Sequence, residues 1–158
     1  MEISKEAYMR QLEAEGWEVS AVQLDEIEFP QIVTTTVVTA TTTLTEAIRI
    51  SPPSGAEVRL FKGDRLWLYI GAGAAELLTV DKIAITRQRA NADENRLASG
   101  IYDSFDNRDD ETVWRWQRNV KVLPADRLLI KIAPTVTTTQ TLFSMDALIL
   151  IRKGEGGV

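Results

Sequence analysis

Hydrophobic and polar residues alternate over much of this chain, most clearly after residue 65. Leu66 and Leu68 fall on one side of an extended segment. Trp67 and Tyr69 fall on the other side. Because successive side chains of a β-strand point to opposite faces, this pattern predicts a strand whose inner face is apolar and whose outer face carries aromatic residues.

The alternating segment occurs twice, as a first copy in residues 58–70 and a second copy in residues 120–132. The copies align without a gap, share the triplet Asp-Arg-Leu and keep the chemical type at nearly every other position. The match continues after a short linker, where residues 77–87 align with residues 142–152. Two matching blocks in the same order indicate a duplicated half-domain and not a solenoid, which needs more repeats.

Each copy contains a turn signal between two strand patterns. Gly63 is free to adopt a positive φ in the first copy, Pro124 fixes φ in the second, and an Asp follows in both. A strand, a tight turn, a second strand, a loop and a third strand, present twice, form the order of a double Greek key. We therefore predict an all-β, jelly-roll-like β-sandwich with an internal duplication of residues 58–87 and 120–152.

Residues 4–15 predict a short N-terminal helix. Ser4 can cap its first turn, and Gly16 can end it. Tyr8 and Leu12 form only a narrow apolar stripe, which is typical of a helix that lies on a surface. Two interpretations stay open: the helix packs on its own sandwich, which we favour, or it is an arm that docks on a neighbouring subunit.

The remaining segments define the expected organisation. We expect residues 1–24 to form the helix and an arm, residues 25–153 to form the sandwich, and residues 154–158 to form a flexible tail. The Thr-rich residues 32–50 predict one long strand, or two with a bend, at a sheet edge. Residues 89–100 are polar, lack a strand pattern and predict a long loop.

Composition excludes several classes of function. The chain has 158 residues, of which 44% are hydrophobic, and this suits one domain with a sizeable core. It has no Cys and no His, which removes disulfides, the commonest general base and the commonest transition-metal ligand. The net charge of −5 argues against a large phosphate-binding surface. No apolar run could span a bilayer and no secretory signal opens the chain, so we expect a soluble, unexported protein without a cofactor.

An acidic stretch is the one weak candidate for a metal site. Its carboxylates are the hard oxygen ligands that Ca²⁺ prefers. The spacing does not match an EF-hand loop, and Arg108 within the stretch lowers the local negative charge. A solvated loop is therefore favoured, and the weak Ca²⁺ candidates are Asp103, Asp106, Asp109 and Asp110.

Aromatic residues are the most informative candidates for a surface. Trp67 and Tyr69 share one face of a strand, and Trp114 and Trp116 share one face of another. Outward aromatics mark either a subunit interface or a platform on which sugar rings stack. Packing under the N-terminal helix, or in the core of the second half, is the alternative. The interface or ligand-stacking candidates are Tyr8, Leu12, Trp67, Tyr69, Trp114 and Trp116.

With its two turn-and-strand copies, its Thr-rich strands and its N-terminal helix, the chain resembles the small β-sandwich structural proteins of virions. Examples are the capsid decoration (cement) proteins of tailed phages and small single-jelly-roll capsid proteins. The resemblance is to a class, covers roughly residues 58–152 and contains no diagnostic motif. It implies a homo-oligomer, often a trimer, that binds a capsid lattice.

The leading hypothesis is a non-enzymatic assembly protein of the virion, assembled in the host cytoplasm. It would be a decoration or minor capsid protein that self-associates, with a trimer favoured, and binds the major capsid protein or another virion component. Neither nucleic acid nor a membrane is an expected partner. The alternative is a jelly-roll carbohydrate-binding module or lectin that uses surface Trp and Tyr. A cupin-type enzyme is a weaker third hypothesis, because such sites use His ligands.

Overall fold

The computed structural model describes residues 3–71, 80–89, 92–100, 106–108, 111–134, 137–138 and 140–152. Within these ranges the chain forms one helix and twelve strands. In chain order they are α1 Lys5–Ala14, β1 Trp17–Leu24, β2 Val33–Thr35, β3 Thr45–Ile50, β4 Ala56–Leu60, β5 Arg65–Gly71, β6 Val80–Arg89, β7 Asn95–Gly100, β8 Asp106–Arg108, β9 Glu111–Arg115, β10 Val120–Val122, β11 Asp126–Pro134 and β12 Gln140–Arg152.

The strands of the described ranges pair antiparallel in two sheets. In the sheet that we call the helix-side sheet, β12 pairs with β1 on one side and with β4 and β5 on the other. β10 pairs with β4, β9 pairs with β5, and β8 pairs with β9 at the edge. The second sheet, which we call the far sheet, has the order β2-β3-β11-β6-β7.

β4 and β5 are two parts of one interrupted strand, because both run antiparallel along the same side of β12. Arg59 pairs with Leu148 and Leu66 pairs with Met145, so the chain between β4 and β5 is longer than the stretch of β12 that it faces. The extra residues between β4 and β5 therefore form an excursion out of the sheet. β9 and β10 are interrupted at the same level, by residues 116–119. The two interrupted strands thus leave the sheet side by side.

The pairing order is that of a jelly roll. The strands that make up the jelly roll are β1, β3, the interrupted strand β4–β5, β6, β7, the interrupted strand β9–β10, β11 and β12. The prediction of an all-β, jelly-roll-like sandwich is therefore confirmed. The internal duplication stays a prediction. After the turn, the first copy continues in the helix-side sheet as β5, whereas the second copy enters the far sheet as β11.

The main core lies between the two sheets and is built from alternate strand positions. Ile83 and Ile85 of β6 face it beside Leu128, Ile130 and Ile132 of β11. These five side chains are at most 2% exposed. The alternation of apolar and polar positions in the sequence is thus the alternation of core and outer faces.

The N-terminal helix is also confirmed. The Ser4 hydroxyl accepts a hydrogen bond from the Ala7 amide at 3.1 Å, which caps the first turn. Gly16 follows the helix with a φ of 99°, a value that favours glycine. Within the described ranges, no helix has the length and apolarity needed to cross a membrane.

Other sequence predictions need correction or refinement. The prediction of a loop over residues 89–100 is wrong for Asn95–Gly100, which form β7 and pair with β6. The pattern is weak there because β7 is an edge strand, and Leu97 packs against the core from it. The Thr-rich segment forms two strands, β2 and β3, that pair antiparallel, with β2 at the edge of the far sheet. The sheet already begins at Trp17, inside the segment that we assigned to the arm.

Candidate functional site

The outer face of the helix-side sheet is divided into a covered part and an open part. α1 lies over the end of β12 and the start of β1. Leu148 and Leu150 of β12 are completely buried beneath it, together with Leu12 of the helix and Trp17 of β1. The outer face of this last strand is therefore covered by the protein's own helix.

The helix is tied to the first copy of the repeat by polar and aromatic contacts. The rings of Tyr8 and Phe61 stack with their centroids 5.5 Å apart. Arg59 Nη1 donates to the Tyr8 hydroxyl at 3.2 Å. Lys5 Nζ lies 2.7 Å from a carboxylate oxygen of Asp64, with both side chains partly buried. Of the two interpretations of the helix, these contacts support the one in which it packs on its own sandwich.

The open part of this face, which we call the open patch, surrounds Trp67. Trp67 is half-buried, and the guanidinium of Arg65 lies 4.8 Å from the centroid of its ring. Ser144 is opposite Trp67 in the ladder, and Leu142 next along β12 is 41% exposed. Tyr69 follows Trp67 on the same strand face, but its side chain lies outside the described part. The open patch therefore combines an exposed leucine with a tryptophan and a stacked arginine, and the last two are residue types enriched at protein interfaces.

The other two predicted tryptophans face inward. Trp114 is half-buried, pairs with the core residue Leu66 and packs against the main core. Trp116 is 3% exposed and belongs to that core. The structure therefore supports the interpretation of Trp114 and Trp116 as core, and it leaves Trp67 as the described tryptophan on an open outer face.

A groove that the sequence did not predict lies at the interruptions of the two strands. The Gly63 amide donates to the Trp116 carbonyl at 2.8 Å, and the Lys62 amide donates to Asn119 Oδ1 at 2.8 Å, so the excursions are bonded to each other. Beside them is an open groove of about 610 Å³, which we call the crest groove. It is lined by Ile3, Phe61, Lys62, Gly63, Gln117, Arg118 and Asn119. The sequence does not reveal this groove, because it does not show that the two turn-forming segments lie side by side in the fold.

The outer face of the far sheet has a different character. Lys131 Nζ lies 2.6 Å from one carboxylate oxygen of Glu94, and Thr86 Oγ1 donates to that carboxylate at 2.7 Å. The hydrogen bond from Lys131, followed by the one from Thr86, lowers the pKa of Glu94 below its ordinary value. This polar network satisfies its own charges, so this face is a weaker candidate for an interface than the open patch.

The calcium candidates cannot be placed as ligands. Asp103, Asp109 and Asp110 lie outside the described residues, and Asp106 belongs to β8 without a described side chain. Among the side chains that the structure does describe, no three carboxylates come together as a metal site would require.

Comparisons with known proteins connect this fold to phage capsids. No protein-family model matches the chain, and no curated protein matches it. Among solved structures, the chain is similar to VP17, a capsid protein of bacteriophage P23-77, with a TM-score of 0.56 and 8% identity. That alignment covers 86% of this chain and 96% of VP17. The complex of VP16 and VP17, the two major capsid proteins of that phage, also matches with a TM-score of 0.56 and 8% identity, over 85% of this chain and 98% of the matched chain.

A more distant match carries no argument. It is the CBM22-1–GH10 part of a Clostridium thermocellum xylanase, with a TM-score of 0.34, 11% identity and coverage of 89% of this chain but 27% of that one. The matches to VP17 and to the VP16–VP17 complex show that the chain shares the fold of phage capsid proteins, which confirms the resemblance at the level of the class.

Proposed function

We propose that this protein is a structural component of a virus particle and has no enzymatic activity. The observation that carries the proposal is the similarity to VP17, which extends over 86% of this chain and 96% of the capsid protein. A match over most of both chains means that the architecture is shared as a unit. The absence of His from the sequence is consistent with a structural role.

In its finer form, the proposal is a decoration or minor capsid protein that self-associates and binds other virion components. The neighbour's VP16–VP17 complex supports a partner in the particle, since it joins the two major capsid proteins of that phage. Within this chain, the open patch supplies a surface for association. Trp67 and Leu142 are apolar residues at its centre, and burying them against another subunit would be favourable.

The stacking of sugar rings has less support. A platform needs accessible aromatic faces, but Trp116 is 3% exposed and Trp114 packs against the core. The ring of Trp67 is already covered on one side by Arg65. A glycan screen with Trp67→Ala as the control would detect this alternative as a tryptophan fluorescence change that the variant lacks.

Self-association is measured first by light scattering across a dilution series. We expect an oligomer, with a trimer favoured, whose mass is stable to dilution. Trp67→Ala with Leu142→Ser should raise the dissociation constant, since it removes the apolar centre of the open patch. Val37→Ser is the matched control, because Val37 is 56% exposed and lies outside the patch. A monomer at every concentration would reject self-association and leave only the role as a partner of other virion proteins.

A further inference from the structure

One strand of the helix-side sheet has an edge that no described strand covers. β1 pairs with β12 along its 8 residues, from Trp17 opposite Arg152 to Leu24 opposite Met145, without a shift of register. Among the strands that the structure describes, β12 is the only one that pairs with β1. The backbone groups on the other side of β1 therefore present a row of hydrogen-bond donors and acceptors along a regular strand.

The other sheet edges of the described ranges differ from this one. β2, β8 and β10 have 3 residues each, which leaves little backbone for another strand to pair with. β7 pairs with β6 through a shift of register between Ile85 and Thr86, which makes that edge irregular. Short and irregular edges are ways in which proteins prevent unwanted strand pairing. β1 lacks both protections, and its sequence contains no Pro, no Lys and no Arg.

The side chains of β1 leave room for another strand. Trp17 and Val19 pack on the side of α1, whereas Val22 and Leu24 pack on the main core. The exposed residues of the strand are Glu18, Ser20, Ala21 and Gln23, of which the two central ones are small. Only one of these four residues is charged, so a strand that approaches the edge meets a single carboxylate of β1.

We propose that β1 of one copy of this chain pairs antiparallel with β1 of a second copy, so that the two helix-side sheets join into one continuous sheet. The main-chain groups of the two edges then bond to each other, which is how strand addition provides affinity. The copies are related by a two-fold axis perpendicular to the sheet. Because both copies use the same strand, the contact closes as a dimer and leaves no β1 edge for further growth.

Symmetry and charge limit the register of the contact. The axis keeps each face of the sheet on its own side, so the registers with the longest overlap are centred on Ser20 or on Ala21. In these registers Glu18 faces an apolar residue, Val22 or Leu24. The two Glu18 positions are then separated by about 13 Å or more along the strands, beyond the screening length of about 8 Å at physiological salt. A parallel pairing in register would place the two carboxylates side by side, so the antiparallel pairing of two copies is favoured.

This inference rests on the self-association proposed above and names a second surface that carries it. The axis leaves both copies facing the same way, so the two open patches lie on one side of the joined sheet. Each α1 covers the Trp17 end of its own β1, so the two helices lie at opposite ends of the joint. The contact is separate from the open patch and adds to any oligomer that the patch forms. A dimer with two open patches presents two binding surfaces to a particle at once, which strengthens attachment by avidity.

Disulfide cross-linking tests the contact, because the chain has no native Cys. Three single variants are compared, Ser20→Cys, Ala21→Cys and Glu18→Cys, and all three positions are exposed. A disulfide needs Cα atoms less than about 7 Å apart, which the proposed pairing provides at its centre but not at Glu18. Under mild oxidation we expect Ser20→Cys or Ala21→Cys to form the linked dimer at least about tenfold faster than Glu18→Cys.

The outcomes separate this contact from self-association in general. Equal rates for the three variants, or a faster rate for Glu18→Cys, with an oligomer still present by light scattering, would overturn the pairing of β1 and leave self-association intact. A monomer at every concentration would overturn both. Cross-linking of Ser20→Cys and Ala21→Cys only to a different virion protein would assign the edge to that partner and also overturn the pairing between copies.

A charge placed on the edge provides an independent measurement. Ala21→Lys puts two like charges close to the axis, so it should raise the dissociation constant of the dimer at least about tenfold, and Ala21→Glu should do the same. An equal mixture of the two variants brings opposite charges together and should recover most of the association. Ala92→Lys is the matched control, since Ala92 is exposed in the loop between β6 and β7. An equal effect of the control, or no recovery in the mixture, would overturn the contact.

Discussion

The two copies of the repeated segment build the same local turn. In the first copy, the amide of Asp64 donates to the carbonyl three residues earlier at 3.0 Å, and Gly63 has a φ of 91°. In the second copy, the amide of Asp126 does the same at 2.9 Å, and Ala125 has a φ of 72°. Both are four-residue turns with a positive φ at the third position.

After this shared turn the copies diverge. The first copy rejoins the same sheet, because the Gly63 amide is bonded to the Trp116 carbonyl and the chain resumes its pairing with β12. The second copy leaves its sheet, and Asp126 pairs instead with Arg89 of β6 in the far sheet. A turn sequence therefore sets the local backbone, but the partner strand decides where the chain goes.

The largest expected effect on the free energy of unfolding is one that the two copies of the repeat share. Leu66 and Leu128 are the equivalent leucines of the triplet, and both are buried in the main core, at 2% and 0% exposure. Leu→Ala at either site should lower the free energy of unfolding by about 2–5 kcal/mol, from lost burial and the cavity left behind. Urea unfolding measures both. A loss below about 1 kcal/mol at one site would mean that this copy does not share the core as described.

The two aspartates should behave differently. Asp126 has a side chain that is 5% exposed and accepts from the Leu123 amide at 2.9 Å, whereas the Asp64 side chain is 15% exposed and pairs with Lys5. Asp126→Ala leaves the partly buried Leu123 amide without its acceptor, so it should cost about 1–3 kcal/mol of unfolding free energy.

Asp64→Ala removes only a partly exposed ion pair and should cost about 1 kcal/mol or less. Asp126→Asn is the informative control, since its amide oxygen can still accept from Leu123 while the charge opposite Arg89 is lost. Equal losses for Asp126→Ala and Asp64→Ala would show that the two turns are energetically equivalent despite their different surroundings.

How much the sequence could predict follows from the same comparison. The strands with alternating apolar positions, their inner faces and the helix were predictable, because each depends on local periodicity or capping. Sheet membership was not, because identical triplets start β5 in one sheet and β11 in the other. The prediction of a loop failed at Asn95–Gly100 because an edge strand needs only backbone pairing and buries few side chains.

The candidate site shows the same limit. The outward position of Trp67 followed from alternation, and the structure places it on the open patch. The inward position of Trp116 did not follow, because the residue lies in an interruption where alternation is broken. The crest groove depends on two excursions that are distant in sequence and are joined by the hydrogen bond between Gly63 and Trp116. A single sequence does not reveal such a long-range contact.

The turn residues themselves offer a smaller test of the shared geometry. Ala125 bears a side chain at a positive φ, so Ala125→Gly should relieve backbone strain and raise the free energy of unfolding by up to about 1 kcal/mol. Gly63→Ala should lower it by a similar amount. A Cβ at Gly63 would meet no atom within 4 Å, so the cost comes from the backbone alone.

The melting temperatures of Ala125→Gly and Gly63→Ala, measured together, test whether the two substitutions have opposite effects on stability. If Ala125→Gly lowered the melting temperature, the flexibility added to the unfolded chain would outweigh the strain, and the two turns would be alike in geometry but not in energy.

The smallest expected effect concerns the arginines of the triplet, which lie on the outer faces of the two sheets. Arg65 stacks 4.8 Å from the centre of the Trp67 ring, and Arg127 is exposed on β11. Arg65→Ala should cost about 0.5–1 kcal/mol of unfolding free energy and change the fluorescence of Trp67, because a cation leaves the face of the ring. Arg127→Ala should stay within about 0.5 kcal/mol of the parent.

Arg65→Lys keeps the charge but loses the flat guanidinium, so it should fall between the parent and Arg65→Ala. Should all three variants match the parent in stability and fluorescence, the stacking would contribute nothing to the folded chain. Arg65 would then be free to leave the ring when another subunit covers the open patch, and the tryptophan would be more accessible to a partner than its half-buried position suggests.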